Sequence, residues 1–211
     1  FPSARPLVPP GREAEVRSLL RLERQLFGSW FAWLRSPGDD DRNRARFLED
    51  LDEVETRLGA NGGPYFLGGE LSVAECHYAS FLERMAASLA YFKGFRMRRS
   101  PDYPRLEAWF AAMEGRESYR ALAGDFYTHA HDLPPQVGGC AENGRNGELR
   151  RAIDGEDGEA WQLPLPEGTP PTPLEPLLQN TPGEAEAARR EAARKLLGNR
   201  AAVLRFCLRG R

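Results

Sequence analysis

Apolar side chains recur every three or four residues from about Arg12 to Leu34, which predicts a long helix. Val16, Leu19, Leu20, Phe27, Trp30, Phe31 and Leu34 fall on one face, and Leu22, Leu26 and Trp33 add a second stripe. A helix apolar on two sides packs on two sides. Pro37 and Gly38 in "RSPGDDD" stop it. From Arg42 to Leu58 a single stripe of Phe47, Leu48, Leu51, Val54 and Leu58 predicts a second amphipathic helix, ended by "GANGG".

The third helix opens at "LSVAECHYA". Ser72 suits the N-cap because its hydroxyl can accept an orphan amide of the first turn, and Glu75 stands three residues on, completing a capping box. Leu71 and Cys76 then occupy the two positions of a hydrophobic staple, which assigns Cys76 to packing. Successive residues on a helix diverge by about 100°, so Cys76 and His77 do not face each other as a nucleophile and its base. His77 is expected as a structural histidine at the edge of a face made by Ala74, Tyr78, Phe81, Leu82, Met85 and Leu89.

A fourth helix is predicted over 103–122, with Pro104 in its first turn and Leu106, Trp109, Phe110 and Met113 inward. The periodicity then fails. Residues 132–182 hold nine prolines and seven glycines, which predicts an extended, turn-rich wrap; "PLPEGTPPTPLEP" reads as stiff polyproline-like chain. A final helix over 181–211 is signalled by Thr181 as cap, Pro182 at the first position, glutamates early and arginines late. Ala185, Ala188, Ala192, Leu196, Val203, Phe206 and Cys207 would form its buried side, with Gly198 a weak point. The expected organisation is a linker over 1–11, a helical domain over 12–131, an extended segment over 132–180 and a basic amphipathic helix over 181–211. The fold class is all-α.

Composition narrows the function classes. With 211 residues and 41% hydrophobic content the chain can bury a real core, and it has no apolar run long enough to cross a bilayer. A net charge of −2 speaks against bulk attraction to nucleic acid. Charge is nonetheless segregated: Arg194, Lys195, Arg200, Arg205, Arg209 and Arg211 close the chain with no acid among them. Three reading options follow for that end: a solvated face, docking onto an acidic protein, or contact with anionic headgroups. Cys76, Cys140 and Cys207 form no close pair, so a disulfide framework is not expected and a reducing compartment is. The first residue is Phe1, with no Met and no leader pattern, so processing upstream is expected.

"PYFLGGELSVAECHYASFLERM" followed by "YPRLEAWFAAMEGRESYRAL" resembles the all-helical C-terminal domain of glutathione transferases over residues 12–123. The resemblance implies that helices 12–34 and 42–58 are the pair opening that domain, and that Ser72 and Glu75 are its central capping box. The family usually has Asp at the position of Glu75 and a branched aliphatic at that of Cys76. "GDFYTHAHDLPPQVGGC" and the arginine-bearing end are similar to extensions in a plant and algal branch, which implies a chloroplast location. In the family a thioredoxin-like domain holds glutathione and supplies the catalytic residue. About eleven residues precede the first helix, so no such domain, no catalytic residue and no cofactor are expected here; glutathione enters only if that domain lies upstream.

Three further sets of residues invite a functional reading. Phe27, Trp30, Phe31 and Trp33 suit an apolar pocket or an interface, and the resemblance implies a co-substrate pocket or a family-type homodimer; the competing reading is core. Asp125, His129, His131 and Cys140 are competent metal ligands, but their spacing is not that of a closed site, and no metal is expected. Arg200, Arg205 and Arg209 suit docking to a protein partner or a membrane surface. The leading expectation is a non-catalytic, protein-binding subunit of a larger assembly, a plastid photosynthetic complex being one host. The alternative is the hydrophobic-substrate half of a glutathione-dependent transferase or reductase.

Overall fold

A computed structural model describes residues 6–154, 189–190, 193–194 and 196–209. The described elements are helical: α1 (Glu13–Arg35), α2 (Asp40–Gly59), α3 (Val73–Lys93), α4 (Pro104–Glu114), α5 (Glu117–Arg120), α6 (Phe126–Val137), α7 (Gly147–Asp154) and α8 (Arg200–Arg209). An isolated bridge between Tyr65 and Gly68 folds the connector before α3. The chain divides into two compact units, Phe1–Gly168 and Thr169–Arg211.

Within the first unit α1 packs on α2 and α3, α3 also carries α6 and α7, and α4 leans on α2. The two-sided α1 predicted from the sequence is the reason: one stripe meets α2 and the other meets α3. Trp30, Trp33, Trp109, Phe47, Phe66, Phe110 and Tyr78 fill the shared core and are fully buried. Three polar tips in that core are tied off, as burial favours, whereas Trp109 Nε1 has no acceptor. Trp30 Nε1 donates to Ser88 Oγ at 3.0 Å, Trp33 Nε1 to Asp40 Oδ1 at 2.7 Å, and Tyr78 Oη to the Leu19 carbonyl at 2.9 Å.

The start of α3 follows the expected capping box, with Ser72 Oγ accepting the Ala74 amide at 3.1 Å. Its end depends on Gly94, which has φ 64°, and a Cβ there would lie 2.3 Å from the Arg145 carbonyl oxygen. Only glycine accommodates both the left-handed turn and that approach.

Two helical predictions need correction. The helix expected over 103–122 ends at Glu114: Gly115 interrupts it, Arg116 is extended, and only the single turn of α5 follows, leaving Leu122 87% exposed. The wrap expected to start at 132 starts later, because α6 runs to Val137 with Pro134 and Pro135 inside it. Asp125 caps α6 by accepting the Thr128 amide at 2.7 Å, and Phe126, Ala130 and Leu133 face the core. The prolines fall in its last turn, so the amides they lack leave only the Ala130 and His131 carbonyls without a helix bond, and the helix ends directly after them. After Gly138 the chain runs without helix to Asn146 and then forms α7; of the extended segment, residues 155–180 lie outside the described residues.

The second unit is described at its end. Residues 196–198 are helical, Asn199 is a turn, and α8 follows, so the weak point expected at Gly198 falls beside a real break. Of the expected buried side, Val203 is half-buried, but Leu196 is 60% exposed and Cys207 is exposed. Thr181, Pro182, Ala185, Ala188 and Ala192 lie outside the described residues.

Candidate functional site

The aromatic set predicted on α1 splits in two. Trp30 and Trp33 point inward and are core, whereas Phe27 and Phe31, one turn apart, are half-buried and stack at 5.7 Å. Phe81 of α3, assigned to the buried stripe on sequence grounds, joins them instead, its ring 5.0 Å edge-on from Phe27. Guanidinium groups frame the three rings: Arg24 lies 4.7 Å from Phe27 and 5.1 Å from Phe81, and Arg35 lies 5.1 Å from Phe31. Arg24 is held in place by the buried Glu23 carboxylate through two bonds of 2.6 and 2.7 Å. The result is a half-buried apolar surface with a cationic rim, suited to an aromatic apolar molecule or to another protein surface.

The capping pair also does more than cap. Glu75 is buried and accepts three hydrogen bonds: from the Ser72 amide at 2.6 Å, from Ser72 Oγ at 2.7 Å and from the Phe66 amide at 2.8 Å. It fixes both the helix start and the connector ahead of it. Cys76 departs from the staple assignment: its thiol is exposed, donating weakly to the Ser72 carbonyl at 3.6 Å, and His77 is exposed as well. Residues 41–112, which span α2, the connector with this box, α3 and most of α4, match the family model described as "Glutathione S-transferase, C-terminal domain". That stretch is a glutathione transferase C-terminal domain.

Relatives of this glutathione transferase domain agree with it. "Probable glutathione S-transferase DHAR1, cytosolic" of Oryza sativa subsp. japonica is 28% identical over 113 residues, covering 54% of this chain and 49% of the rice protein. The match therefore spans about half the length of that relative. Among solved structures, "Leishmania TDR1 - a unique trimeric glutathione transferase" matches with a TM-score of 0.55 and 24% identity, over 62% of this chain and 29% of that one. This second likeness concerns the fold.

The weak metal candidates disperse in the glutathione transferase fold. Asp125 caps α6, His129 Nε2 lies 3.4 Å from Glu83 Oε2, and His131 Nε2 lies 2.8 Å from Asp154 Oδ1. Cys140 packs against the core, and burial pushes its thiol up to about 11, only partly opposed by Lys93 and Arg35. Among the described residues no group of three or more His, Cys, Asp or Glu is placed to hold a metal ion.

A polar cleft of about 230 Å³ was not foreseen. Ser36, Pro37, Asp40, Lys93, Asn143 and Arg145 line much of it. Lys93 Nζ is buried there, 3.4 Å from Asp40 Oδ1 and 3.4 Å from the Ser36 carbonyl. Burial pushes the Asp40 carboxyl up, but bonds from Asn143 and Trp33 and the Lys93 charge outweigh that and hold it below its ordinary value. Every charge in this network has a fixed counterpart, which makes it a structural clasp between α2, α3 and the chain after α6.

Of the arginines expected to dock a partner, Arg200 and Arg205 are exposed on α8, and Arg209 is the last residue of that helix. No described helix is long and apolar enough to cross a membrane.

Proposed function

We propose that this domain is the helical half of a glutathione-dependent transferase, and that Phe27, Phe31 and Phe81 form one wall of the site for its apolar co-substrate. The single observation carrying the reading is that these three rings stay only half-buried between α1 and α3, with Phe27 meeting both Phe31 and Phe81. The family match over 41–112 and the likeness to the rice protein support it. By the resemblance, glutathione would be bound and activated by a thioredoxin-like domain, and the described residues, being helical, do not include one. The role of this chain's own residues is to bind and orient the apolar reactant. The subunit role in a photosynthetic assembly and the plastid location draw no support from the fold or from these relatives.

The test is titration of the 211-residue chain with a dinitrophenyl conjugate of glutathione, read by quenching of tryptophan fluorescence, to which Trp30 contributes with its indole 5.4 Å from the Phe27 ring. Saturable quenching is expected, weakened about two- to ten-fold by Phe27→Ala and again by Phe81→Ala. Unchanged affinity in both variants would overturn the assignment of the wall. Quenching by the conjugate that glutathione alone reverses would place the contact on the peptide and not on the ring.

A further inference from the structure

We propose that α8 and the helical turn before it form a peripheral anchor for anionic lipid headgroups. Three large apolar side chains stand in solvent there: Leu196 at 60%, Leu197 at 66% and Leu204 at 61% exposed. They are interleaved with cations. Between Ala192 and Arg211 the chain carries six basic residues and no acid, although the whole chain is net −2. A soluble surface that exposes leucines on a cationic helix leaves unspent both an apolar gain and a Coulomb gain.

The arrangement along α8 fits an interface better than a shaped groove. Arg200, Val203, Leu204 and Cys207 follow the i, i+3, i+4, i+7 spacing of one face, while Arg205 lies about 140° around the helix from Arg200. An arginine at the end of an apolar face can extend its stem along the surface and keep its charge at phosphate depth. Ten residues of helix reach about 15 Å, half the hydrocarbon thickness, so α8 lies along a bilayer surface and does not enter it end-on. A bilayer accepts leucines below and guanidinium groups at the phosphates at once, with no demand for matched shape. An acidic protein surface would satisfy the arginines and leave the leucines wet.

Co-sedimentation of the full chain with vesicles tests this. Binding is expected to phosphatidylcholine vesicles containing phosphatidylserine, weak binding to phosphatidylcholine alone, and loss of binding in about 0.5 M salt. Each arginine near such a surface is worth about a five-fold factor, so R200Q/R205Q lowers the partition coefficient roughly 30-fold. Leu204→Gln lowers it about ten-fold. A control, R17Q/R21Q on the exposed face of α1, leaves it unchanged. Absence of binding to the anionic vesicles, equal binding to neutral ones, or an equal loss in the α1 control would overturn the proposal. So would binding to immobilised polyglutamate that matches the vesicle binding and survives Leu204→Gln, which assigns the helix to an acidic protein. All substituted positions are exposed, and circular dichroism of each variant should overlay the parent.

Discussion

The carboxylate of Glu75 accepts the backbone amide of Phe66 at 2.8 Å while its other oxygen takes both the amide and the hydroxyl of Ser72. One buried side chain thus satisfies three donors on two pieces of chain. Replacing it leaves those donors without acceptors, and Glu75→Ala should cost about 2–4 kcal/mol in urea unfolding. Ser72→Ala, which removes only one cap bond and one donor, should cost about 1 kcal/mol. Equal costs would mean that the Phe66 bond adds nothing.

Arg98 is buried against Phe110, its guanidinium 4.0 Å from the ring, and bonds Glu107 through two nitrogens at 3.0 Å and Glu114 at 2.8 Å. A lysine can reproduce neither the fork nor the stacking. Arg98→Lys should therefore lower the denaturant midpoint, and Arg98→Ala should cost about 3–5 kcal/mol. A midpoint for Arg98→Lys equal to the parent's would refute the importance of the planar group.

Burial pushes the Glu107 carboxyl up, but the bonds from Arg98 and from the Arg99 amide win, so it sits below its ordinary value of 4.5. A lowered folded pKa contributes stability that is present above 4.5 and is lost as pH falls through the folded value. Glu107→Gln should accordingly be destabilising near neutrality and show a shallower further loss below pH 4.5. The measurement is unfolding free energy against pH; parallel curves would show that Glu107 does not titrate with folding.

Trp33 and Trp109 are both fully buried, but Trp33 Nε1 donates to Asp40 whereas Trp109 Nε1 has no acceptor. Phenylalanine at either site opens a similar void. Trp33→Phe additionally deprives Asp40 of a donor and should cost about 1 kcal/mol more than Trp109→Phe. The reverse order in denaturant unfolding would contradict the bonding pattern.

The Cys140 thiol, raised from an ordinary 9.0 to about 11 by burial, should be about 100-fold poorer in thiolate at pH 8 than an ordinary thiol. Iodoacetamide followed by peptide mapping should label the exposed Cys76 and Cys207 first. Prior labelling of Cys140 would show that its loop opens.

The features legible in the sequence are those written in local pattern. α1, α2 and α3 follow from periodicity and from a cap contained within four residues; the bounds of α1 and α2 agree with expectation to within two residues, and α3 starts directly after Ser72. Exposure was harder to read. Helical spacing groups Phe27 with Trp30, but only the position of α3 decides that Phe27 meets Phe81 at the surface while Trp30 enters the core. Cys76 had the right position for a staple, yet its thiol turns back to its own helix carbonyl. Proline content suggested extended chain at 132–137, where a capped helix close to its end tolerates it. The Asp40–Lys93–Asn143 clasp had no sequence signal, because its members share no repeat or spacing.

The bond from Asn143 Nδ2 to Asp40 Oδ2 joins residues 103 positions apart, and the same amide group donates to the carbonyl of Lys93. During synthesis α1, α2 and α3 are complete long before Asn143 exists. Trp33, Asp40 and Lys93 can meet one another by then, but Asp40 Oδ2 and the Lys93 carbonyl wait for the Asn143 amide until the chain past α6 arrives. Closure of this clasp is thus a late checkpoint, one that a nascent chain stopping short of residue 143 can never pass.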